Sequence, residues 1–353
     1  MIPSINKKSM RLLILTQKVD QNDDVLGFFH GWIAEFAKHC EQVTVIALGV
    51  GEYDLPNNVR VFSLGKERGA SRLKYLLNFY RLIWRERKTY DTVFVHMNQE
   101  YVVLGGLLWK LLGKKITMWR NHPLGNVFTR VSAMLSHVVF CTSPYSYTAR
   151  FSKTISNMPV GIDINIFFDK GESREPDSIL SIGRISPIKN IFGVIEMTHG
   201  LKEKGWNGNA YVYGSAPLRD KAYEHNVHRE ARHLSEIGVV HFEKSVPFCE
   251  VPNIYNKYEV YVNLTKTGSF DKTVFEAMAC GMMVLVSNQS FVGKIPDECI
   301  CREGDAEDLI QKAQAYFRLS PEKKREIVVR LRSYVETEQS LQGLMDHLFG
   351  LLA

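Results

Sequence analysis

The chain has 353 residues, 45% of them hydrophobic and 23% charged, which is the balance of a soluble globular protein with room for two domains. No apolar run is long enough for a membrane-spanning helix, no signal peptide is predicted, and six cysteines without CxxC spacing argue against a disulfide framework or a zinc site. The net charge of +6 is uneven, because residues 1–170 carry 22 Lys and Arg against 13 Asp and Glu, whereas the remainder carries 22 against 25.

Strands and helices alternate along the first half of the chain. Residues 11–16 form a continuous apolar run that predicts a buried parallel strand, and a polar loop containing 27–31 leads to a helix from Trp32. Further strands are predicted at 43–47, 92–96, 115–119 and 137–142. This order predicts a Rossmann-like domain over residues 1–170.

A second unit of the same kind follows a short polar linker at 171–176. Its strands are predicted at 178–182, 210–213, 238–242, 260–264 and 283–287, with a helix over 190–204. We expect an α/β fold with domains at 1–170 and 171–330 and a last helix, within 331–353, that crosses back to the first. Ligands of such sheets bind at the carboxyl ends of the strands, so the cleft between two facing domains is the expected site.

Segment 183–190 carries two cations at a strand-to-helix turn. Arg184 and Lys189 lie five residues apart, and both could face a diphosphate beside the N–H groups of the next helix. A solvated basic turn explains the same residues.

Segment 267–281 runs from a strand through a polar loop into a helix of small residues. Ser269, Asp271 and Thr273 are suited to capping that helix, and Glu276 lies about one turn inside it, where a carboxylate could accept two hydrogen bonds from a sugar diol. The alternative is an ordinary helix with one exposed glutamate.

In this order the motifs resemble those of the retaining glycosyltransferases of family 4, which have the GT-B fold of two facing Rossmann-like domains. The family's G-R-x4-K element resembles Gly183, Arg184 and Lys189, which implies a clamp on the donor pyrophosphate. Its E-x-F-G-x4-E element resembles the stretch from Gly268, which places Glu276 on the donor ribose. The resemblance covers most of the chain and implies donor contacts at Gly27, Gly183, Arg184, Lys189, Gly214, Ser245, Val246, Ser269, Phe270, Lys272, Thr273 and Glu276.

Two departures from the family pattern concern the transferred sugar. Gly268 stands where the family has its first glutamate, and Asp271 replaces a glycine. Asp271 either restores a carboxylate near the sugar, as a candidate catalytic residue, or caps the helix.

The loop at 27–31 also departs from the family, which has paired glycines there. Gly27 would still allow a phosphate to approach the backbone, while Phe28 and Phe29 either shape an acceptor pocket or pack in the core.

His122 is the second candidate catalytic residue, because it follows a predicted strand end and resembles the family's histidine at that place. Arg120 and Asn121 beside it could share its role. His96, at the end of the preceding strand, is a second histidine at such a place, although a lone histidine is more often structural than catalytic. The sequence has no D-x-D pair and no metal-ligand spacing, so no metal or cofactor is expected. The leaving group would then be stabilised by cations and helix N–H groups.

Eight basic residues and several aromatics alternate from Lys66 to Lys88. Such a helix could lie on an anionic membrane surface near a lipid-linked acceptor, or it could be a domain helix with a solvated basic face. No nucleic-acid motif accompanies it.

The sequence therefore predicts a glycosyltransferase that moves a sugar from a UDP- or GDP-sugar to a glycan or lipid-linked glycan precursor, with retention. We expect it in the cytoplasm, either free or as a peripheral protein on the inner face of the membrane. Two alternatives remain open: a non-catalytic nucleotide-sugar-binding protein of the same fold, and a sugar-nucleotide epimerase with the GT-B fold.

Overall fold

The computed structural model describes residues 10–268 and 270–352. The chain divides into two compact units, one formed by the residues up to Gly161 with the last helix from Leu341, and the other by 162–340. The first boundary lies earlier than the predicted 170, and the return to the first unit lies later than the predicted 331. The physical reason is a hydrogen bond between the Ile162 N–H and the Gln339 carbonyl at 2.9 Å, which ties the start of the second unit to its end.

The first unit contains a sheet of seven parallel strands in the order β3-β2-β1-β4-β5-β6-β7. The strands are β1 (Arg11–Val19), β2 (Gln42–Val50), β3 (Val59–Ser63), β4 (Thr92–His96), β5 (Lys115–Trp119), β6 (Val138–Phe140) and β7 (Thr154–Ile155). The edge strands β3 and β7 were not predicted, because β7 has two residues and β3 is only partly buried, so neither gives an apolar run.

Helices cover both faces of this sheet. They are α1 (Gly27–His39), α2 (Arg72–Arg85), α3 (Gln99–Leu111), α4 (Val127–Leu135) and the last helix, α12 (Leu341–Leu352). One core cluster joins α1 and α12 to one face, with Phe36 and Phe349 in edge contact at 5.9 Å. A second cluster joins α2, α3 and α4 to the other face, around Phe79 and Trp109.

Two local predictions in this unit need correction. Segment 27–31 is not a loop, because α1 begins at Gly27, whose N–H donates to the Asp23 carbonyl at 3.0 Å. The ring of Phe29 is fully buried, so it packs in the core. The basic segment 66–88 is not one helix: a 3-10 turn at Lys66–Arg68 is followed by α2, for which the Ser71 hydroxyl is the cap.

The second unit contains a five-stranded parallel sheet in the order β10-β9-β8-β11-β12. The strands are β8 (Glu175–Ile182), β9 (Ala210–Tyr213), β10 (Val240–Glu243), β11 (Tyr258–Asn263) and β12 (Met283–Val286). The predicted linker at 171–176 ends inside β8, which starts at Glu175 because its N–H donates to the Lys257 carbonyl.

Seven helices of the second unit, among the described residues, connect these strands or follow the last one. They are α5 (Ile191–Glu203), α6 (Lys221–Glu230), α7 (Arg232–Glu236), α8 (Val251–Tyr255), α9 (Lys272–Ala279), α10 (Ala306–Phe317) and α11 (Pro321–Tyr334). A π-helical turn, Val335–Gln339, ends the unit. Across the described part of the chain, no helix combines the length and apolar character needed to cross a bilayer.

Candidate functional site

The strongest concentration of predicted site residues lies at the carboxyl edge of the second sheet. Gly183 follows β8 and Gly214 follows β9, and the two backbones nearly touch. A Cβ on Gly214 would lie 1.8 Å from the Gly183 carbonyl oxygen, and the φ of Gly214 is 147°. Both glycines have positive φ, so this close crossing requires residues without a side chain.

We expect Gly214→Ala to destabilise the protein by roughly 1–3 kcal/mol, because the new methyl group overlaps a carbonyl and the backbone conformation is strained. Thermal unfolding of the purified variant measures this. Gly31→Ala is the control, since a Cβ there meets no atom within 4 Å and the residue lies in a helix. Equal melting temperatures for the two variants would contradict the crossing.

Lys189 ends the 3-10 turn Pro187–Lys189, which leads from β8 to α5. Its ammonium group forms an ion pair with the carboxylate of Asp271, and each side chain is only 14% exposed. The two residues lie 82 positions apart in the sequence, so the ion pair joins the two predicted motifs into one site.

The Asp271 carboxylate is the centre of a polar network. Oδ2 accepts hydrogen bonds from Asn263 Nδ2 at 2.8 Å and from Thr265 Oγ1 at 3.1 Å, in addition to Lys189. Burial opposes ionisation of this carboxyl group, but the charge of Lys189 and these hydrogen bonds outweigh it and lower the pKa of Asp271 to about 2. The group is therefore a carboxylate at neutral pH.

The structure does not support the alternative in which the Asp271 side chain caps a helix. Asp271 does occupy the N-cap position of α9, yet its side chain makes no capping hydrogen bond. The carboxylate turns instead to the cation and the amide at the ends of neighbouring strands, because those partners compensate its charge better than a backbone N–H does.

Arg184 lies beside this network along the chain and is exposed. Its guanidinium group makes no hydrogen bond or ion pair with any other residue that the structure describes. Its five N–H donors, none of which has a partner among the described residues, give this side chain the capacity to bind an oxyanion in a two-pronged geometry.

Glu276 lies one turn inside α9 and is 4% exposed. The Tyr255 hydroxyl donates a hydrogen bond to its Oε2 at 3.2 Å. Burial raises the pKa of Glu276 to about 7, although Lys272, one turn before it, favours the ionised form. Burial also lowers the pKa of Lys272 to about 8, against the attraction of Glu276 and Asp163. Burying an ionisable carboxyl group lowers the stability of the fold, and groups with pKa values shifted in this way are often found at ligand-binding sites.

The remaining predicted donor residues differ in their surroundings. The Phe270 ring is buried against Phe275 and Phe291, at centroid distances of 5.2 and 4.9 Å, so its side chain belongs to the core. Thr273 Oγ1 accepts a hydrogen bond from the Tyr261 hydroxyl at 2.7 Å. Ser245 is exposed and Val246 half-buried in the segment after β10. Ser269 lies outside the described residues.

In the first unit, His122 is exposed in the loop after β5, with its Nδ1 3.0 Å from the Leu124 N–H nitrogen. Gly27 is buried at the start of α1. His96 is 3% exposed and stacks on Phe29 at a centroid distance of 3.9 Å, which fits a structural role. The structure thus places His122 in an accessible loop after β5, whereas His96 is part of the core.

Three buried polar atoms at the carboxyl edge of the first sheet have no hydrogen-bond partner within the described part of the chain. They are Gln99 Oε1, Arg120 Nη1 and Thr142 Oγ1, which follow β4, β5 and β6 respectively. Burial lowers the pKa of Arg120, yet the group remains a cation. Buried polar groups are almost always satisfied, so these atoms mark a place where a polar ligand or water would bind.

Sequence reasoning missed several of these partners. Asn263 and Thr265 could have been found as polar residues at the end of a buried strand next to the predicted loop. Tyr255 gives no such signal, because it lies on a five-residue helix well before the motif. Gln99 and Thr142 stand out only through burial in the folded chain.

Residues 163–327 match the family model of the glycosyl transferases group 1. The matched region contains Gly183, Arg184, Lys189, Asp271 and Glu276, the residues of the site in the second unit. No curated protein sequence matches the chain.

Solved structures similar to the chain cover nearly all of it. HepE from Anabaena in complex with UDP is 16% identical, with a TM-score of 0.77, over 97% of this chain and 99% of that chain. The complex of HepE with UDP-glucose gives 15% identity and a TM-score of 0.76 over the same shares. Sucrose-phosphate synthase from Thermosynechococcus elongatus is 15% identical, with a TM-score of 0.74, again over 97% and 99%. The predicted fold class is confirmed: the chain has the α/β architecture of GT-B glycosyltransferases, with two Rossmann-like parallel sheets.

Proposed function

We propose that this protein is a glycosyltransferase that transfers a sugar from a UDP- or GDP-sugar to a glycan or lipid-linked glycan acceptor, with retention of configuration. The observation that carries the proposal is the set of groups at the carboxyl edge of the second sheet. Three features lie there, inside the region similar to the glycosyl transferases group 1: an exposed guanidinium with no partner among the described residues, a lysine–aspartate pair and a buried carboxyl group.

These groups would bind the donor through charge-assisted and neutral hydrogen bonds. Arg184 and Lys189 would bind the diphosphate, which carries its negative charge on oxygens suited to charge-assisted hydrogen bonds. Glu276 would accept hydrogen bonds from the ribose hydroxyls. Among similar structures, the complexes of HepE with UDP and with UDP-glucose support a uridine diphosphate sugar as the first donor to test.

Lys189 has a partner before any donor arrives, because Asp271 holds its ammonium group. A diphosphate would compete with Asp271 for that cation. Asn263 and Thr265 would continue to donate hydrogen bonds to the carboxylate, which would keep it ionised beside the transferred sugar. We therefore assign Asp271 to contacts with the sugar, in the role that the family gives to the glutamate replaced here by Gly268.

The acceptor would bind at the carboxyl edge of the first sheet. His122 is accessible there, and Arg120, Gln99 and Thr142 each have a buried polar atom that no described residue satisfies and that could bind an acceptor hydroxyl or phosphate. The two cations Arg184 and Lys189, with the N–H groups at the start of α9, would stabilise the charge of the leaving diphosphate without a metal ion.

The test is calorimetric titration of the protein with UDP, GDP and ADP, first without metal and then with Mg²⁺. We expect one nucleotide to bind without metal. Replacing Arg184 with alanine should weaken that binding by about 1.5–3 kcal/mol, because a charged hydrogen bond to the ligand is lost. Arg229→Ala is the matched control, an exposed arginine on α6 of the same unit.

Each outcome has a definite meaning. Failure of all three nucleotides to bind would refute the donor assignment. If Arg184→Ala bound the nucleotide as well as Arg229→Ala does, the site would lie elsewhere in the unit. Binding of a nucleotide without turnover of its sugar conjugates would favour the non-catalytic alternative.

A further inference from the structure

The helices α2, α3 and α4 form one layer over the first sheet, and their inner sides supply its buried cluster. Their outer sides are unusually apolar. On α2, Leu73, Leu77, Tyr80 and Trp84 are 66%, 63%, 39% and 51% exposed. Their spacing of three and four residues places them in a single row along the helix. An exposed helix face ordinarily carries polar side chains, so this row is unusual.

The same feature continues on the next two helices. On α3, Leu104, Leu107 and Leu111 are 39%, 67% and 86% exposed, again at helical spacing. On and before α4, the exposed apolar residues are Leu124, Val127, Phe128 and Met134, each between 57% and 71% exposed.

The helices lie side by side, so these rows join. The Tyr80 hydroxyl of α2 donates a hydrogen bond to the Leu104 carbonyl of α3 at 3.0 Å. A Cβ on Gly106 of α3 would lie 3.0 Å from Leu135 of α4. We call the exposed apolar residues of α2, α3 and α4 together the α2–α4 surface. Monomeric soluble proteins rarely expose so large a continuous apolar area unless it binds something.

Charge identifies the partner. Residues 72–135 contain eleven Lys and Arg against three Asp and Glu, and α2 itself has no acidic residue. Glu86 is buried between Arg60 and Arg85, and Asp91 pairs with Arg11, so most of the acidic charge is already neutralised locally. Lys74 and Arg81 remain exposed beside the row on α2.

A second copy of the chain is a poor partner for this surface, because two strongly basic faces would repel each other. An anionic lipid bilayer satisfies both features at once: its acyl region accepts the leucines and the tryptophan, and its phosphate layer accepts the lysines and arginines. We propose that the α2–α4 surface docks the protein on an anionic membrane. This goes beyond the proposed transferase activity and does not depend on it.

Trp84 makes the docking directly measurable. The other four tryptophans, Trp32, Trp109, Trp119 and Trp206, are between 0% and 8% exposed, and all five lie among the described residues. A blue shift of the emission on adding vesicles therefore reports Trp84. We expect this shift with vesicles of mixed phosphatidylcholine and phosphatidylglycerol, and no shift with phosphatidylcholine alone. Trp84→Phe should lose the shift and keep most of the binding.

Vesicle sedimentation of a triple variant tests the surface itself. Leu73→Ser, Leu77→Ser and Trp84→Ser together should reduce binding by about tenfold or more, since three apolar side chains no longer enter the interface. The control is Leu218→Ser, Ile237→Ser and Val329→Ser, three exposed apolar residues of the second unit. All six positions are exposed, so circular dichroism should show folded proteins. Added salt should weaken binding of the parent.

Three results would overturn the proposal: no binding of the parent to anionic vesicles, equal binding to vesicles of either composition, or equal binding of the triple and control variants. A parent that dimerises in analytical ultracentrifugation without binding vesicles, and becomes monomeric in the triple variant, would likewise overturn it and identify a self-association surface.

Discussion

Replacing Lys189 with methionine is expected to lower the free energy of unfolding by about 3 kcal/mol at pH 7, because it leaves the Asp271 carboxylate in a mostly buried place without its cation. Chemical denaturation of parent and variant measures the difference. Lys204→Met is the matched control, since Lys204 pairs with Glu307 at 2.6 Å on the surface of the same unit, with 38% and 57% of the side chains exposed. An exposed pair of this kind should contribute no more than about 1 kcal/mol.

The dependence on pH has a definite sign. The pKa of Asp271 in the folded protein is about 2, below the value of an unfolded aspartate, so its ionised form stabilises the fold. That contribution is complete above about pH 4 and is lost as the pH falls towards 2. The difference in the free energy of unfolding between the parent and Lys189→Met should therefore become smaller as the pH falls towards 2. Adding Asp271→Asn to Lys189→Met should restore much of the stability, and a double variant no more stable than the single one would refute the pairing.

Replacing Glu276 with glutamine should weaken nucleotide binding by about ten- to a hundredfold, if the proposed function is correct, because charged hydrogen bonds to the ribose become neutral ones. Calorimetric titration with the nucleotide that binds the parent measures this. Glu230→Gln, at an exposed position on α6, is the matched control.

Although Glu276→Gln should weaken nucleotide binding, it should raise the free energy of unfolding above neutral pH. Because the pKa of Glu276 is raised to about 7, the folded state keeps the proton between about pH 4.5 and 7 while the unfolded state releases it. Parent stability therefore falls over that range, and Glu276→Gln should be more stable than the parent at pH 8 and similar to it at pH 4. Nucleotide affinity of the parent should rise between pH 6 and 8 as Glu276 ionises. A variant that binds the nucleotide like the parent at pH 8 would exclude a ribose contact.

The sequence by itself determined the class of fold and the position of the two motifs. Continuous apolar runs identified most strands, and β4, β5 and β9 have the predicted bounds, since buried parallel strands have apolar side chains on both faces. Arg184 and Lys189 were predicted as site residues because they follow a strand end and precede a helix, where two cations suit an anion site. Glu276 was predicted because it lies about one turn inside a helix that follows a polar loop.

Only the tertiary structure showed which of those residues interact and how burial changes their ionisation. Asp271 could be a cap or a functional carboxylate from its sequence position, and its contact with Lys189, 82 residues away, settled that its side chain is not a cap. The raised pKa of Glu276 depends on burial, and the α2–α4 surface depends on three helices lying side by side. Ion pairing, desolvation and a continuous apolar surface are properties of residues distant in sequence, so local patterns could not reveal them.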